Sequence, residues 1–334
     1  MTRARMRKST LSLGIIGAAT LMLAACGNGD TNTDDQSAGD DGEIVSLTAG
    51  LMPIVDVAPV FVGIEEGIFT DHGFDIETEI ASGGAAIIPA VTGGTYEVGF
   101  SNNVSLIIGN STGLDLEMIA PGVGISEETS EDVGYCNIMA HPDSGISEPT
   151  DLEGMSIAVN TLNNIGDITI SYGLEQNGAD ADSVNFVEMP FPDMPAALME
   201  ERIEAVWICE PFVTILLDDG AVPVMDQYAA AHPNLTVASY FAHGPWAAEN
   251  TEVLARFTTA LEESFEFASN NPDAVREAVT DYAGIEQDVA DRMRLPDFPA
   301  EFNEESLQLL IDQSEAAGLL DEPVTIEDVI LSQD

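Results

Sequence analysis

From Ile44 onward the chain switches repeatedly between two hydrophobic periods. Ile44 to Leu51 is a β-rich run, Phe61 to Phe69 places apolar residues at helix spacing, and Phe74 to Ile80 alternates as Phe-Asp-Ile-Glu-Thr-Glu-Ile. Gly83-Gly84 then opens a helix that runs through Val91 and closes at Gly93-Gly94, and Glu97 to Phe100 is the next strand. Period-two runs predict strands, and the 3.6-residue runs between them predict helices. A βαβαβ order predicts a mainly parallel sheet with helices on both faces. Ligands of such sheets sit beyond the carboxyl ends of the strands. Those ends are Met52 to Asp56, Ser82 to Ala85 and Ser101 to Asn103.

A second series follows the acidic stretch Ser126 to Asp132. Strands are predicted at Tyr135 to Ala140, Met155 to Val159, Val184 to Met189, Ala205 to Cys209 and Val222 to Met225. Helices are predicted at Ile165 to Gln176, Met194 to Ile203 and Pro211 to Leu217. After one more strand, Thr236 to Ala242, the pattern is helical at Thr251 to Ser269, Pro272 to Tyr282, Asp288 to Met293 and Glu304 to Ala317. A helical tail cannot bury its apolar faces alone, so it is expected to cover the first α/β unit. The expected organisation is two lobes, with the chain crossing between them twice. Lobe I comprises 44–133 and 237–334, and lobe II comprises 134–236.

The region before Ile44 has a different character. Arg3, Arg5, Arg7 and Lys8 precede an apolar stretch from Leu11 to Leu23, and Leu23-Ala24-Ala25-Cys26 follows. A basic start, a short apolar run and small residues before a cleavage point describe a secretory signal; the run is too short to be retained as a spanning helix. With Cys26 in place it looks like a bacterial lipoprotein signal: 1–25 is removed and Cys26 is lipidated. Residues 26–43 are rich in Gly, Asn, Asp, Thr and Ser and cannot bury enough surface to fold. They read as a disordered tether, which places the folded body outside the cell membrane and anchors it there.

Charge narrows the chemistry. The chain has 9 basic and 59 acidic residues, and four of the basic ones lie in the first eight positions, which leaves five against 59, a formal −54, for the body. No lysine follows Lys8, and the remaining basic residues are Arg202, Arg256, Arg276, Arg292 and Arg294. Nucleic acid is excluded as a partner, because phosphate neutralisation needs basic clusters. The dispersed acidity reads as a solvated surface suited to high salt. Without lysine there is no Schiff base and no phosphate-loop lysine. His72, His141, His232 and His243 fit no metal spacing, and no serine lies in a Gly-x-Ser-x-Gly context. The inventory therefore speaks for binding rather than catalysis, with neither cofactor nor metal.

The order of short words along the chain adds a resemblance. Pro59-Val60-Phe61-Val62-Gly63-Ile64-Glu65-Glu66-Gly67-Ile68-Phe69, Gly73-Phe74-Asp75-Ile76-Glu77 and Tyr96-Glu97-Val98-Gly99-Phe100 resemble the first lobe of ABC-importer solute-binding proteins of the sulfonate, nitrate, taurine and thiamine-precursor group. Asp151-Leu152-Glu153-Gly154-Met155-Ser156-Ile157-Ala158-Val159 and Glu204-Ala205-Val206-Trp207-Ile208-Cys209-Glu210-Pro211-Phe212 resemble words of its second lobe. The resemblance runs from about Ile44 to Leu331. It implies a two-lobed periplasmic-binding-protein fold of type II, a clamp in which ligand contacts from both lobes favour the closed state. It also implies delivery of the solute to a membrane permease with its ATPase, and a monomeric chain.

Carried over by position, the resemblance implies first-lobe ligand contacts from Met52, Pro53, Asp56, Gly83, Gly84, Ala85, Ser101, Asn102 and Asn103. The second lobe would contribute Asn160, Thr161, Asn164, Trp207 and Glu210. Gly83 to Ala85 and Asn163 to Ile165 precede helices, whose first N–H groups suit an acidic oxygen; the glycines equally suit plain turns. Glu210 suits either ligand contact or orientation of the hinge. Oxyanion ligands are often gripped by Arg or Lys, and none lies between Lys8 and Arg202. Asn, Ser, Thr and acidic groups, with Trp207, Tyr135 and Phe191 nearby, better suit a neutral or cationic nitrogen compound such as a thiamine pyrimidine precursor. A sulfonate, taurine or nitrate ligand stays open, as does a solute-sensing lipoprotein not coupled to transport. Relatives on this fold that make the thiamine pyrimidine with pyridoxal phosphate are a third class, disfavoured by the missing lysine. In the family's second lobe the entering strand lies antiparallel beside the third parallel strand, which implies a Cys136–Cys209 disulfide; two buried free thiols are the alternative.

Overall fold

The computed structural model describes residues 44–126 and 133–331. The expected signal, the lipidation site Cys26 and the tether all lie outside the described residues. The described residues form ten strands: β1 (Val45–Leu51), β2 (Phe74–Ile80), β3 (Val98–Asn102), β4 (Leu116–Gly124), β5 (Cys136–Ala140), β6 (Ser156–Val159), β7 (Asn185–Glu188), β8 (Ala205–Cys209), β9 (Val222–Met225) and β10 (Thr236–His243). They form two five-stranded sheets, ordered β2-β1-β3-β10-β4 and β7-β6-β8-β5-β9.

The two sheets repeat one plan. In the first, β1 is parallel to β2 and β3, and β10 runs antiparallel to β3 and β4. In the second, β6 is parallel to β7 and β8, and β5 runs antiparallel to β8 and β9. Each sheet thus has four strands in one direction and a single reversed strand next to its edge, a mixed sheet flanked by helices. The reversed strand is the one on which the chain arrives: β4 of the first sheet leads to β5 of the second, and β9 leads back to β10.

Local chemistry explains the elements that position the strand ends. Edge strand β2 turns Asp75, Glu77 and Glu79 to solvent while Phe74 is buried, so its free edge carries charge that resists pairing with another chain. Asn102 caps helix Asn103–Ser111 by accepting from Ser105 N–H, and Asn164 caps helix Ile165–Gln176 by accepting from Gly166 N–H. Helix Thr251–Asn270 buries Leu254, Phe257, Leu261 and Phe265, residues three or four apart, as one apolar stripe. It packs on helices Ala58–Glu65 and Ile68–Asp71. Phe257 sits between Phe69 and Phe74, with both ring centroids 5.8 Å away. The tail thus covers the first sheet as its composition requires, although helix Glu304–Ala316 also touches helix Ile165–Gln176 beside the second.

Three helices, Asn103–Ser111, Gln227–Ala231 and Gly244–Glu249, and strand β4 escape the sequence pattern. β4 carries Pro121, Gly122 and Gly124, which speak against a strand. The structure accommodates them through irregular register against β10, with shifts on either side of the Ser239–Pro121 pair. Gly122 is needed, because a Cβ there would lie 2.6 Å from the Phe100 ring.

Candidate functional site

The carboxyl ends of β1, β3, β6 and β8 converge on one small cavity. Met52, Asp56, Phe100 and Asn102 come to it from the first sheet, and Asn160, Phe191, Trp207 and Tyr228 from the second. Its open volume is about 20 Å³, room for about one water. The lips on either side meet: a Cβ on Gly83 would come 3.2 Å from both Asn160 Nδ2 and Thr161 Cγ2, and one on Gly84 only 2.0 Å from Ser101 Oγ. Admission of a solute therefore requires the two sheets to separate at this edge.

The expected site residues divide by what their side chains do. Met52, Asp56, Asn102, Asn160 and Trp207 line the cavity. Gly83 and Gly84 form the first-sheet lip, with Ala85 following in helix Gly84–Thr92, while Ser101 is buried under it. Asn164 is occupied with positioning: its amide N–H groups donate to Asn160 Oδ1 (2.8 Å) and Thr161 Oγ1 (2.6 Å). Asn103 ties β3 to β10, donating to Thr236 carbonyl and accepting from Ser239 Oγ. Pro53, Asn103, Thr161, Asn164 and Glu210 are thus not brought to the cavity wall. Phe100 and Tyr228 are wall residues that the pattern does not single out, since an aromatic within a buried strand or a short helix reads as core.

Glu210 has a structural task. Its carboxylate is fully buried and accepts from Thr214 N–H (3.0 Å), Thr214 Oγ1 (2.8 Å) and Arg294 N–H (3.2 Å), with Arg294 Nη1 at 3.6 Å. Its backbone carbonyl accepts from Val55 N–H (3.1 Å). Burial pushes its pKa up, and the Thr214 and Arg294 bonds hold it partly back. Arg294 thereby fastens the C-terminal segment to the end of β8, and nearby Arg292 grips Asp218 with both terminal nitrogens. Two of the five arginines of the body are used in joining these segments.

Around the cavity several buried polar atoms have no partner: Asp56 Oδ1, Ser101 Oγ, Tyr135 Oη, Trp207 Nε1 and Tyr240 Oη. Buried polar groups are normally satisfied, so a cluster of orphans calls for an explanation. Asp56 is 3% exposed, and burial pushes its carboxyl up to about 7. Its charge in turn raises Tyr135, Tyr228, Tyr240 and Tyr282, each already raised more strongly by burial. Trp207 meets Phe191 and Tyr228 edge-on, at centroid distances of 5.4 and 6.2 Å. Its ring also lies over Gly166, where a Cβ would come 2.7 Å from it. One carboxylate in an aromatic wall can bind a donor or a cation and can exclude water. Among the described residues no Lys, Arg or His lines the cavity, and no group of His, Cys, Asp and Glu is arranged to hold a metal. Cys136 and Cys209 face each other across the β5–β8 pair and are joined as a disulfide, with Cys209 in the cavity wall.

Comparison with known proteins places this architecture. The fold matches the alkanesulfonate-binding protein SsuA from Xanthomonas axonopodis pv. citri bound to MOPS, with a TM-score of 0.73 at 15% identity over 86% of this chain and 99% of that one. In sequence the chain is 22% identical over 302 residues to the formylaminopyrimidine-binding protein of Halalkalibacterium halodurans, covering 89% of this chain and 84% of the relative. A relative from Brucella abortus (strain 2308) is 25% identical over 216 residues, 64% of this chain, and the match spans 63% of the relative's length. The NMT1/THI5 like family model matches residues 54–275, a stretch that contains Asp56, both lips of the cavity, Trp207 and all of the second sheet, and the chain belongs to that family.

Proposed function

We propose that the chain is a solute-binding protein of an ABC import system. It captures a small organic solute between its two sheets outside the cytoplasmic membrane and hands it to a permease and its ATPase. The lobes of the clamp are 44–133 with 237–334, and 134–236, and Cys26 carries the lipid anchor. The observation that carries this reading is the cluster of unpartnered polar atoms in the aromatic-walled cavity where the strand ends of both sheets meet. Such a site is incomplete without a ligand that offers hydrogen bonds to both sides, and a ligand touching both sides favours closure. The inventory of side chains supports binding rather than catalysis, since the cavity wall holds neither a nucleophile–base pair nor a metal-ligand set.

The wall supports a nitrogenous, flat solute such as a thiamine pyrimidine precursor. Asp56 offers an acceptor, Trp207 a donor, and Phe191, Tyr228 and Phe100 offer ring faces and edges. A sulfonate or nitrate would set an anion beside Asp56 with no basic side chain in the wall. The test is a thermal-shift screen of the protein against thiamine pyrimidines, sulfonates, nitrate, taurine and small aromatic acids. A solute that binds only the folded state adds RT ln(1 + [L]/Kd), about 2.7 kcal/mol at a hundredfold excess over Kd. A shift with the pyrimidines is expected; a shift with sulfonates alone replaces the proposed substrate.

A further inference from the structure

We infer that the solute carries a positive charge on a flat N–H-bearing group, which Asp56 receives and the surrounding aromatic rings enclose. The inference rests on the solute-binding reading of the cavity and names the charge of what enters it.

The geometry supplies three independent constraints. Among the described residues Asp56 is the only carboxylate that lines the cavity, and its Oδ1 lacks a donor. A buried carboxylate oxygen without a donor is costly, and it is relieved either by taking up a proton or by receiving a cation. Second, the wall around it is aromatic: Phe100, Phe191, Trp207 and Tyr228 line the space. Ring faces attract cations and give nothing comparable to an anion. Third, among the described residues no basic side chain lines the cavity to neutralise Asp56 or to grip an oxyanion. The unpartnered Trp207 N–H needs an acceptor, so the ligand must carry a lone pair besides its N–H donors. An amino-substituted pyrimidinium offers both, since its second ring nitrogen keeps a lone pair, whereas an amidinium supplies the charge and the donors alone.

The charges that face Asp56 leave it as the group that titrates near neutrality. Tyr135 beside β5, Tyr228 in helix Gln227–Ala231, Tyr240 in β10 and Tyr282 in helix Pro272–Ala283 all feel its charge, and all have pKa values above 10. Asp226 adds to the rise at Tyr135 and Tyr228, and Asp297 to that at Tyr135. Protonation of Asp56 removes the charge that a cation needs, whereas a neutral ligand is indifferent to it.

The probes are benzamidinium, benzamide and benzenesulfonate, which share a flat ring and differ in charge. Binding to the full chain is read by thermal shift and by tryptophan fluorescence, with Asp56→Asn measured alongside. Benzamidinium is expected to bind at least tenfold more tightly than benzamide at pH 8, and this preference is expected to vanish in Asp56→Asn. In the wild-type protein, where no substitution disturbs the fold, benzamidinium affinity should fall about tenfold or more between pH 8 and pH 5, with benzamide unchanged. Benzenesulfonate binding that survives Asp56→Asn, or equal affinity for the charged and neutral probes, overturns the cation assignment and leaves solute binding standing. Silence of these probes while an anionic solute of the wider screen binds also overturns it. Silence of every solute in both proteins overturns the cation assignment and the solute-binding reading together.

Discussion

Asp56 is the residue on which the site turns, and its cost is measurable without any ligand. Its carboxyl is held up at about 7 by burial, against an ordinary value of 3.8. The folded state therefore holds a proton that the unfolded chain has released, and the associated stability is full below pH 3.8 and is lost as pH rises to about 7. At about 1.36 kcal/mol per pH unit the difference is about 4 kcal/mol. Chemical denaturation of the ligand-free protein should show stability falling from pH 4 to pH 8. Asp56→Asn should flatten this slope and raise Tm at pH 8; an unchanged slope would assign it to other carboxylates. The sequence shows Asp56 as a polar residue past a strand end, but it does not show that the residue is dry. That depends on Tyr135, Tyr228, Tyr240 and Tyr282, which arrive from four distant segments. Glu210 shows the converse: the same rule of position applies to it, yet Thr214, four residues on, and Arg294 take up its carboxylate.

At the scale of elements, alternation and turns made most of the two sheets legible. Strand β2 is written as alternating Phe, Ile and acid, and in the Gly83-Gly84 lip Ser101 leaves no room for a Cβ at Gly84 while Asn160 and Thr161 crowd one at Gly83. Strand β4 was hidden because its proline and glycines are tolerated only through the register shifts against β10. The pairing of β5 with β8 sets Cys136 opposite Cys209, and the disulfide between them closes a separation of 73 residues. A loop of that length is worth about 4 kcal/mol by chain entropy. Thiol counting on the denatured, unreduced chain should find neither of these cysteines free; two reactive thiols at these positions would refute the bond. The tail helix Thr251–Asn270 is the other element to test. Phe257→Ala opens a cavity between Phe69 and Phe74 and should cost about 3–5 kcal/mol. Urea denaturation reads this directly, and a loss below 1 kcal/mol would show that the helix does not cover the first sheet as described.

The whole molecule is two copies of one sheet plan that exchange a strand direction at each crossing, with their strand ends facing a shared cavity. That arrangement makes the cavity sensitive to the separation of the sheets. Its lips already meet at Gly83, Asn160 and Thr161, and Arg292 and Arg294 fasten the C-terminal segment to the second sheet at Asp218 and Glu210. The formal charge of −54 left after the first eight residues works against compactness at low ionic strength. One small solute is expected to bind between the two sheets at Asp56 and Trp207. Isothermal titration of the wild-type protein, Asp56→Asn and Trp207→Ala with the strongest solute of the thermal-shift screen tests it most directly. One site per chain is expected in the wild type, with a loss of affinity of at least tenfold in each variant. Binding with unchanged affinity in both variants, or no heat from any solute, would contradict it.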